Sequence, residues 1–300
     1  MLRILSRASA SLPSRSLLRS LSSAMSTFAN LQVNSPSPFV YHVELDNPKK
    51  SNAINSDMWK AIGECFAHLH GNPDCRSIVL SGSGKNFCAG IDLMSMMSLG
   101  QELSQHEDVG RKGRVMEQKI RQYQDAISSI EHCVKPVIAA IHGACVGAGV
   151  DMITATDMRY CSSDAWMQVK EVEIGMAADV GTLQRLPKVV GSQSLARELC
   201  FTGRRMDSEE ALKCGLVNRV VKTKEELLTL ALETAKQIAS LSPVAVQNTK
   251  KSIIYSLNRS NQEGLDHIRE INCLSLQSED FLKAVMAAAT KGEPAEFAKL

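Results

Sequence analysis

The chain lacks the sequence features of disulfide scaffolds, zinc proteins and membrane-spanning proteins. Nine cysteines are present, but none are arranged as Cys-x-x-Cys, so neither a disulfide framework nor a metal site is predicted. No uncharged apolar run reaches the length of about eighteen residues that a transmembrane helix needs. Because 44% of the 300 residues are hydrophobic, the chain can nevertheless bury a substantial core.

Concentrated positive charge is also missing. The formal net charge is +2, and the longest basic runs are pairs such as Arg204-Arg205 and Lys250-Lys251. Proteins that bind nucleic acid need a basic patch to neutralise phosphates, so no nucleic-acid partner is predicted. The Gly-x-Ser-x-Gly elbow of serine hydrolases is absent as well, since Ser81-Gly82-Ser83-Gly84 does not match it.

Acidic residues are missing from the start of the chain, where Glu44 is the first. Four arginines are spread there among Leu, Ser and Ala: Arg3, Arg7, Arg15 and Arg19. Such a segment is typical of a mitochondrial transit peptide, so residues 1–35 are predicted to be a presequence outside the fold. The last residues, Ala298-Lys299-Leu300, are close to the Ser-Lys-Leu peroxisomal address. A mitochondrial location, a peroxisomal one, or both are therefore predicted.

Two glycine-rich turns, each between an apolar strand and a helix, carry most of the chemical information. One follows the strand 77–80 and leads to Asp92 at a helix start. The other follows the strand 137–141, passes through Gly147-Ala148-Gly149, and opens a helix with Asp151 in its first turn. Free N–H groups at a helix N-terminus favour a negatively charged ligand atom. Two such turns can supply two donors to one oxyanion, as acyl-group chemistry requires.

These turns also carry a resemblance to a known family. Residues 87–93, Phe-Cys-Ala-Gly-Ile-Asp-Leu, resemble the first signature of the crotonase (enoyl-CoA hydratase/isomerase) superfamily, and residues 142–151 resemble its second. Residues 170–175 and 177–187 closely resemble the branch of this family that isomerises dienoyl-CoA thioesters. The likeness covers about residues 36–300.

The order of predicted elements indicates the fold class. Strands, turns and helices alternate through 36–222, which favours an α/β fold. The resemblance implies that 36–222 form a crotonase-like spiral of β-β-α units, and that a C-terminal helical region, 223–300, covers the acyl site and builds homotrimers or dimers of trimers. The charged, glycine-containing segment 101–112 predicts a mobile loop before a helix over 114–133.

The resemblance implies a set of site residues. A thioester oxygen would bind the amide of Ala89 and that of Ala148 or Gly149, within a substrate-binding segment that continues over Gly90, Ile91, Asp92 and Leu93. The implied catalytic carboxylates are Asp151, Glu171 and Asp179. Glu171 would handle the proton at C2 and Asp179 that at C6, while Asp151 positions or tunes them. Spacing alone does not show that the three converge, and in an extended segment Glu173 would share the face of Glu171.

The implied reaction is the isomerisation of 3,5-dienoyl-CoA to 2,4-dienoyl-CoA in β-oxidation of unsaturated fatty acids. No metal or other cofactor is expected, because coenzyme A is part of the substrate. The hydratases of the family have two Glu at the positions of Asp151 and Glu171 and usually a small residue at that of Asp179, so this sequence favours an isomerase. An enoyl-CoA hydratase is the first alternative, and a non-catalytic crotonase-fold binding protein is the second.

Three groups of residues near the turns have two interpretations. Cys88 and Cys145 lack a His–Asp partner at motif spacing and are interpreted as packing residues rather than nucleophiles. Lys49 and Lys50 either approach the CoA nucleotide, as this loop does in the family, or form a solvated turn. The methionines of 94–97 either line the acyl pocket or pack the core.

Overall fold

The structure is a computed structural model that describes residues 28–300. Most of the predicted presequence lies outside the described residues, but its last part does not. Strand β1 (Leu31–Ser37) pairs antiparallel with β2 (Val40–Leu45), and its alternate side chains Leu31 and Val33 are buried. The predicted boundary between residues 35 and 36 is therefore wrong, because it falls inside a strand whose apolar face packs on the core.

Residues 28–300 contain a large and a small β-sheet. The other strands are β3 (Ser77–Gly82), β4 (Val137–Ile141), β5 (Ala144–Val146), β6 (Met158–Ser162), β7 (Trp166–Gln168), β8 (Met206–Asp207) and β9 (Arg219–Val221). The large sheet has the order β1-β2-β3-β4-β6-β9 and is parallel beyond β2. In the small sheet, β5 and β7 are parallel and β8 is antiparallel to β7.

The chain alternates between the two sheets. β4 of the large sheet is followed by β5 of the small sheet and then by helix α4 (Ala148–Thr154). β6 and β7 repeat this step and lead, through a 3-10 turn at Glu171–Ile174, to helix α5 (Thr182–Val189). This succession is the β-β-α spiral that the resemblance implies, and the α/β class is confirmed.

Helices bury both faces of the large sheet. Ile78 and Leu80 of β3 belong to a hydrophobic cluster shared with α1 (Ser56–Gly71) and α3 (Val109–His132). Val79 faces the other way and packs with α8 (Lys224–Ala239). Burial on both sides explains why these strands read as continuous apolar runs rather than as alternating ones. It also gives the turns that follow β3 and β4 a rigid base.

Two helices occupy most of the segment predicted as a mobile loop. α2 (Leu93–Ser104) extends into it, and α3 begins at Val109 rather than at residue 114. The Asp108 carboxylate accepts a hydrogen bond of 2.8 Å from the Arg111 N–H and so caps α3. The loop prediction over 101–112 is wrong because this cap allows a helix to start before the glycines.

The predicted boundary at 222/223 divides a helix from the sheet that it covers. α8 places Leu227, Ala231 and Ala235 on the large sheet, so it belongs to the core. The remaining helices are α6 (Gln193–Thr202), α7 (Ser208–Lys213), α9 (Pro243–Ser256), α10 (Asn261–Ser275) and α11 (Glu279–Thr290). Of the region predicted as C-terminal, α9 to α11 lie outside the spiral. In residues 28–300, no helix has both the length and the apolar character needed to cross a bilayer.

Candidate active site

The first glycine-rich turn leaves one backbone amide free. Five of the six amides over 87–92 have acceptors: His142 O for Phe87, Ala144 O for Cys88, Ser51 O for Ala89, the Cys88 sulfur for Gly90, and Ile54 O for Asp92. The Ile91 N–H has no acceptor among residues 28–300. A free N–H in a turn that is otherwise fully bonded is available to a ligand oxygen.

The prediction that Ala89 supplies the oxyanion donor is therefore wrong. Its N–H donates to Ser51 O at 2.9 Å, and the available amide belongs to Ile91, two residues later. Residues 51–54 decide which amide is free, because Ser51 O accepts the Ala89 N–H and Ile54 O accepts the Asp92 N–H. Gly90 between the two amides has φ +92°, and a Cβ there would lie 3.0 Å from Val146 O, so only glycine fits this close approach.

The second turn adjoins the first and leaves two amides free. Cys88 and Val146 bridge the turns, since the Val146 N–H donates to Cys88 O at 2.9 Å. Gly147 N–H donates to Gln168 O, and Gly147 O accepts from residues 150 and 151. The amides of Ala148 and Gly149, at the N-terminus of α4, have no acceptor among residues 28–300. The Ala148 nitrogen lies 3.8 Å from the position that a Cβ of Gly90 would occupy, so the Ala148 amide adjoins the first turn.

Glu171 approaches these turns closely. A Cβ on Gly147, which has φ +53°, would be 3.2 Å from Glu171 Oε1, so glycine is needed both for the backbone angle and for the carboxylate. Glu171 is 8% exposed, and its Oε2 is buried without a hydrogen-bond partner among the described residues. Burial, then the charges of Asp151 and Asp179, raise its pKa to about 7.

Glu173 does not share the face of Glu171. Residues 171–174 form a 3-10 turn rather than a strand, so the alternation assumed from the sequence does not apply. Glu173 is exposed and bonds to Lys170 and to Gln168. The two carboxylates thus differ in burial, and Glu171 alone of this pair adjoins the glycine turns.

Asp151 lies one helical turn inside α4 and is 1% exposed. Its Oδ1 accepts a 2.6 Å hydrogen bond from the Thr182 N–H. Burial raises the pKa of Asp151 to about 6, while the bonds from Thr182 and the charge of Arg185 oppose that rise. Asp151 therefore ties the start of α5 to the second glycine turn, and its charge acts on Glu171.

Asp179 is the third carboxylate and is half-buried, with its pKa raised by burial. Its carbonyl oxygen accepts a 2.7 Å hydrogen bond from Gln124 Nε2 of α3. It lines a cavity of about 720 Å³ between α3, α5 and α9, together with Gln124 and Arg185. Glu171 and the glycine turns are not part of that cavity lining. The charge of Asp179 thus acts on the pKa of Glu171, while Asp179 itself borders the cavity.

The structure does not support a direct substrate contact for the Asp92 side chain. Its Oδ1 caps α2 through the Met94 N–H at 2.9 Å, and its Oδ2 pairs with Lys50 Nζ at 2.6 Å. Its own N–H is bonded to Ile54 O. Asp92 therefore anchors the helix after the first turn, whereas the neighbouring Leu93 side chain is 64% exposed. Lys50, predicted either near CoA or in a solvated turn, is held by this ion pair.

The two cysteines of the turns are structural. Cys88 and Cys145 are both fully buried, and all nine cysteines are free thiols. Burial raises the pKa of Cys88 to about 12 and that of Cys145 well above its ordinary value. Both remain protonated at neutral pH, which agrees with packing rather than nucleophilic roles.

Comparison with known proteins identifies the family. The sequence profile of the enoyl-CoA hydratase/isomerase family matches residues 37–295. The chain belongs to the enoyl-CoA hydratase/isomerase family. Within it, the human protein named mitochondrial Delta(3,5)-Delta(2,4)-dienoyl-CoA isomerase is 48% identical over 269 residues, covering 89% of this chain and 81% of its own length.

Further members of the enoyl-CoA hydratase/isomerase family agree in sequence and in fold. The Arabidopsis thaliana protein named peroxisomal Delta(3,5)-Delta(2,4)-dienoyl-CoA isomerase is 44% identical over 261 residues, 87% of this chain and 93% of its own. The crystal structure of an enoyl-CoA hydratase from Bacillus anthracis superposes with a TM-score of 0.80 at 26% identity, over 90% of this chain and 99% of that one.

Several residues that shape the site were not found from the sequence. The loop residues 51–54 determine which amide of the first turn is free, and Thr182 and Gln124 hold the segment around Asp179. No local motif indicates these contacts. They join positions that are between 31 and 55 residues apart, so they become visible only in the folded chain.

Proposed function

We propose that this member of the family converts a 3,5-dienoyl-CoA into the corresponding 2,4-dienoyl-CoA, a step in the β-oxidation of unsaturated fatty acids. The observation that carries the proposal is Glu171, a buried carboxylate with a pKa of about 7 whose Oε2 has no hydrogen-bond partner among residues 28–300. It lies beside two turns whose amides at Ile91 and Ala148 lack acceptors in the same part of the chain, and the charge of Asp179 acts on it. Relatives at 48% and 44% identity bear this activity in their names. No cofactor is needed, since coenzyme A is part of the substrate.

The proposed reaction moves one proton off C2 and one onto C6. Glu171, as a carboxylate, takes the C2 proton, and the electrons of the broken C–H bond form a conjugated enolate with its charge on the thioester oxygen. Protonated Asp179 then adds a proton at C6, and the electrons return from the oxygen to leave double bonds at C2=C3 and C4=C5. Glu171 ends protonated and Asp179 ionised, so a proton returns from Glu171 to Asp179 through solvent before the next turnover.

The charge on the thioester oxygen needs fixed donors, and we assign these to Ile91 and Ala148. Neither amide has an acceptor among residues 28–300, and the other amides of the first turn, over 87–92, are all bonded. Preorganised donors of this type contribute about 3–4 kcal/mol each to transition-state stabilisation. Substrate would therefore bind with its carbonyl between the two turns and its C2 next to Glu171.

Asp151 is assigned a positioning role. Its Oδ1 accepts the Thr182 N–H, so it holds the start of α5. Its charge also raises the pKa of Glu171. Glu171 is therefore a stronger base toward the C2 proton, because a carboxylate with a higher pKa accepts a carbon-bound proton more readily.

A paired assay separates the proposed isomerase from a hydratase. The purified chain is offered 3,5-dienoyl-CoA and, separately, 2-enoyl-CoA, and product formation is followed by chromatography and absorbance. The proposal expects double-bond migration in the first case and little water addition in the second. Water addition to 2-enoyl-CoA without diene migration would establish the hydratase alternative, and acyl-CoA binding without either reaction would establish a binding protein.

The substitution Ala148→Pro tests the second oxyanion donor. Ala148 is the first residue of α4, where proline is tolerated because its missing N–H has no helical acceptor. The fold should therefore persist while one donor is lost. The expected result is a fall in kcat of about 100- to 1,000-fold, measured by steady-state kinetics on 3,5-dienoyl-CoA.

The control for this test is Ala148→Ser, which retains the N–H and should keep most of the activity. A folded Ala148→Pro protein with unchanged kcat would assign the donor to Gly149 instead. Circular dichroism and the melting temperature of each variant separate a lost donor from a lost fold.

We also propose a homotrimer or a dimer of trimers as the assembly. Large apolar side chains on α10 and α11 are exposed in the single chain, among them Leu265, Leu274 and Met286, and exposed apolar surface of this extent marks interaction sites. Light scattering after size-exclusion chromatography should give a mass of three or six chains of 32.7 kDa. A monomer would contradict the proposal.

The proposed location is the mitochondrion, the peroxisome or both. The human relative is named mitochondrial and the Arabidopsis relative peroxisomal. Fluorescent reporters fused to residues 1–35 or preceding Ala298-Lys299-Leu300 test the two addresses separately. A cytosolic signal from both reporters would contradict both addresses.

A further inference from the structure

One buried side chain outside the carboxylate set contacts the first glycine turn repeatedly. Asn52 is 0% exposed and lies in the loop before α1. Its backbone has φ +55°, in the left-handed region, as does that of Ser51 before it, with φ +50°. Non-glycine residues in this region are uncommon, and strained backbone of this kind clusters at functional sites.

The Asn52 carboxamide binds the backbone that leads into the turn. Its Nδ2 donates to three carbonyl oxygens: Ser83 O at 2.9 Å, Asn86 O at 2.9 Å and Phe87 O at 3.1 Å. Its Oδ1 accepts from the Asn47 N–H at 2.9 Å. One amide group has only two N–H donors, so one of them is shared. A single side chain thus satisfies three carbonyls over 83–87 that would otherwise be unpaired.

The backbone of the same loop continues this contact along the turn. Asn52 O accepts a weak bond from the Cys88 thiol at 3.3 Å, and Ser51 O accepts from the Ala89 N–H. Ile54 N–H donates to Gly90 O, and Ile54 O accepts from the Asp92 N–H. Between Phe87 and Asp92, Ile91 is thus the residue to which this loop makes no hydrogen bond. The loop leaves free the amide that the proposed reaction uses.

We propose that Asn52 is a positioning residue for the oxyanion hole. Its carboxamide fixes the carbonyls before the turn and thereby sets where the Ile91 N–H lies relative to the Ala148 N–H. Only the expected change in kcat rests on the proposed function, because the carbonyl of any bound acyl-CoA would contact the same amides of Ile91 and Ala148. Asn52 itself does not touch the reacting atoms.

Two substitutions separate the carboxamide from the backbone conformation. Asn52→Asp keeps the size and the acceptor, but a carboxylate repels three carbonyl oxygens and a carboxylic acid donates to one at most. Asn52→Gly removes the side chain and suits the left-handed backbone. If Asn52 is present only for its φ angle, Asn52→Gly should retain full activity. If the carboxamide positions the turn, both variants should lose activity.

The measurement compares kinetics with the infrared spectrum of bound product. 2,4-Dienoyl-CoA labelled with ¹³C at the thioester carbonyl is bound to the full chain and its C=O stretch recorded. Hydrogen bonds to the carbonyl lower this frequency, so the wild-type complex should show a stretch below that of free product. We expect both variants to lose part of this shift and to lose about 100-fold in kcat, the size of effect that a misplacement of about 1 Å has. The Kd of the product should change far less.

A matched control is Asn72→Asp. Asn72 follows α1 and donates to Tyr41 Oη at 3.1 Å, at the opposite end of the sheet from the turn. The same chemical change there should leave both the stretch and kcat as in the wild type. If Asn52→Asp does not fold, Asn52→Gly supplies the result.

The outcomes are distinguishable from failure of the proposed function. A folded Asn52→Gly protein with wild-type stretch frequency and kcat would overturn the assignment of Asn52. A lost frequency shift in both variants supports it, even if the wild-type chain proves to act on a different acyl-CoA, because the spectrum reports carbonyl binding independently of isomerisation. Inactivity of the wild type on 3,5-dienoyl-CoA would overturn the proposed function instead.

Discussion

Asp179→Asn is expected to abolish diene isomerisation while acyl-CoA still binds. The amide cannot deliver a proton to C6, and loss of a general acid costs about 100- to 10,000-fold in rate. Removal of the C2 proton depends on Glu171 and on the oxyanion donors, which this change leaves in place. The variant should therefore still exchange the C2 proton of the substrate with deuterium from D₂O, as mass spectrometry would detect.

A matched control for Asp179→Asn is available on the neighbouring helix. Asp125 lies on α3 next to Gln124 and is exposed, so Asp125→Asn makes the same chemical change in the same region without touching the site. It should isomerise as the wild type does. Full isomerase activity in Asp179→Asn, or loss of C2 exchange together with isomerisation, would refute the assignment of Asp179 as the C6 acid.

Glu171→Gln is expected to stop both isomerisation and C2 exchange and, at the same time, to stabilise the fold at alkaline pH. The base is lost, so activity falls by about 100- to 10,000-fold. The stability effect follows from the pKa of Glu171, which rises from 4.5 to about 7 on folding. A folded-state pKa above the unfolded one means that stability is highest when the group is protonated and declines as pH rises from 4.5 to 7.

The size of the stability effect can be bounded. At 1.36 kcal/mol per pKa unit, a rise of this extent lowers the unfolding free energy of the wild type by about 3 kcal/mol above pH 7. Glutamine has the same shape and no charge to bury, so thermal or denaturant unfolding at pH 8 should show a gain approaching this value. The gain should vanish at pH 4, where both the folded and the unfolded wild type are largely protonated.

Glu173→Gln is the matched control for Glu171→Gln. Glu173 is two residues away and exposed, and Lys170 and Gln168 hold its pKa below its ordinary value. Its substitution should leave activity unchanged and should give no stability gain at pH 8. A Glu171→Gln variant that is less stable than the wild type at pH 8 would contradict this prediction. It would show that the Glu171 carboxylate has a stabilising partner in the folded chain.

The elements that the sequence predicted correctly are those with a strong local cause. The runs 77–80 and 137–141 are apolar on both sides because helices cover both faces of their sheet, and such runs identify buried strands. The glycines at 90 and 147 are needed because the backbone there is left-handed and a Cβ would approach Val146 O or Glu171.

Three elements differ from what the sequence predicts, one for a distant cause and two for local ones. The sequence predicts residues 31–35 to be the end of a presequence, yet their pairing with β2 makes them part of the sheet. The sequence predicts that α3 starts at residue 114, whereas the Asp108 cap lets the helix begin at Val109, ahead of Gly110 and Gly113. In an extended segment Glu173 would share the face of Glu171, but residues 171–174 form a 3-10 turn.

By itself, the sequence indicated the α/β class, because the alternation of strands, turns and helices is a property of short segments. Its resemblance to the family implied the spiral and the three carboxylates. Only the tertiary structure decided which groups can act. It left the Ile91 amide without an acceptor among residues 28–300, whereas the loop at 51–54 bonds the Ala89 amide. It also raised the pKa of Glu171, since burial and two charges from other segments act on it. Free amides and shifted pKa values depend on neighbours that are remote in the chain, and only folding brings them together.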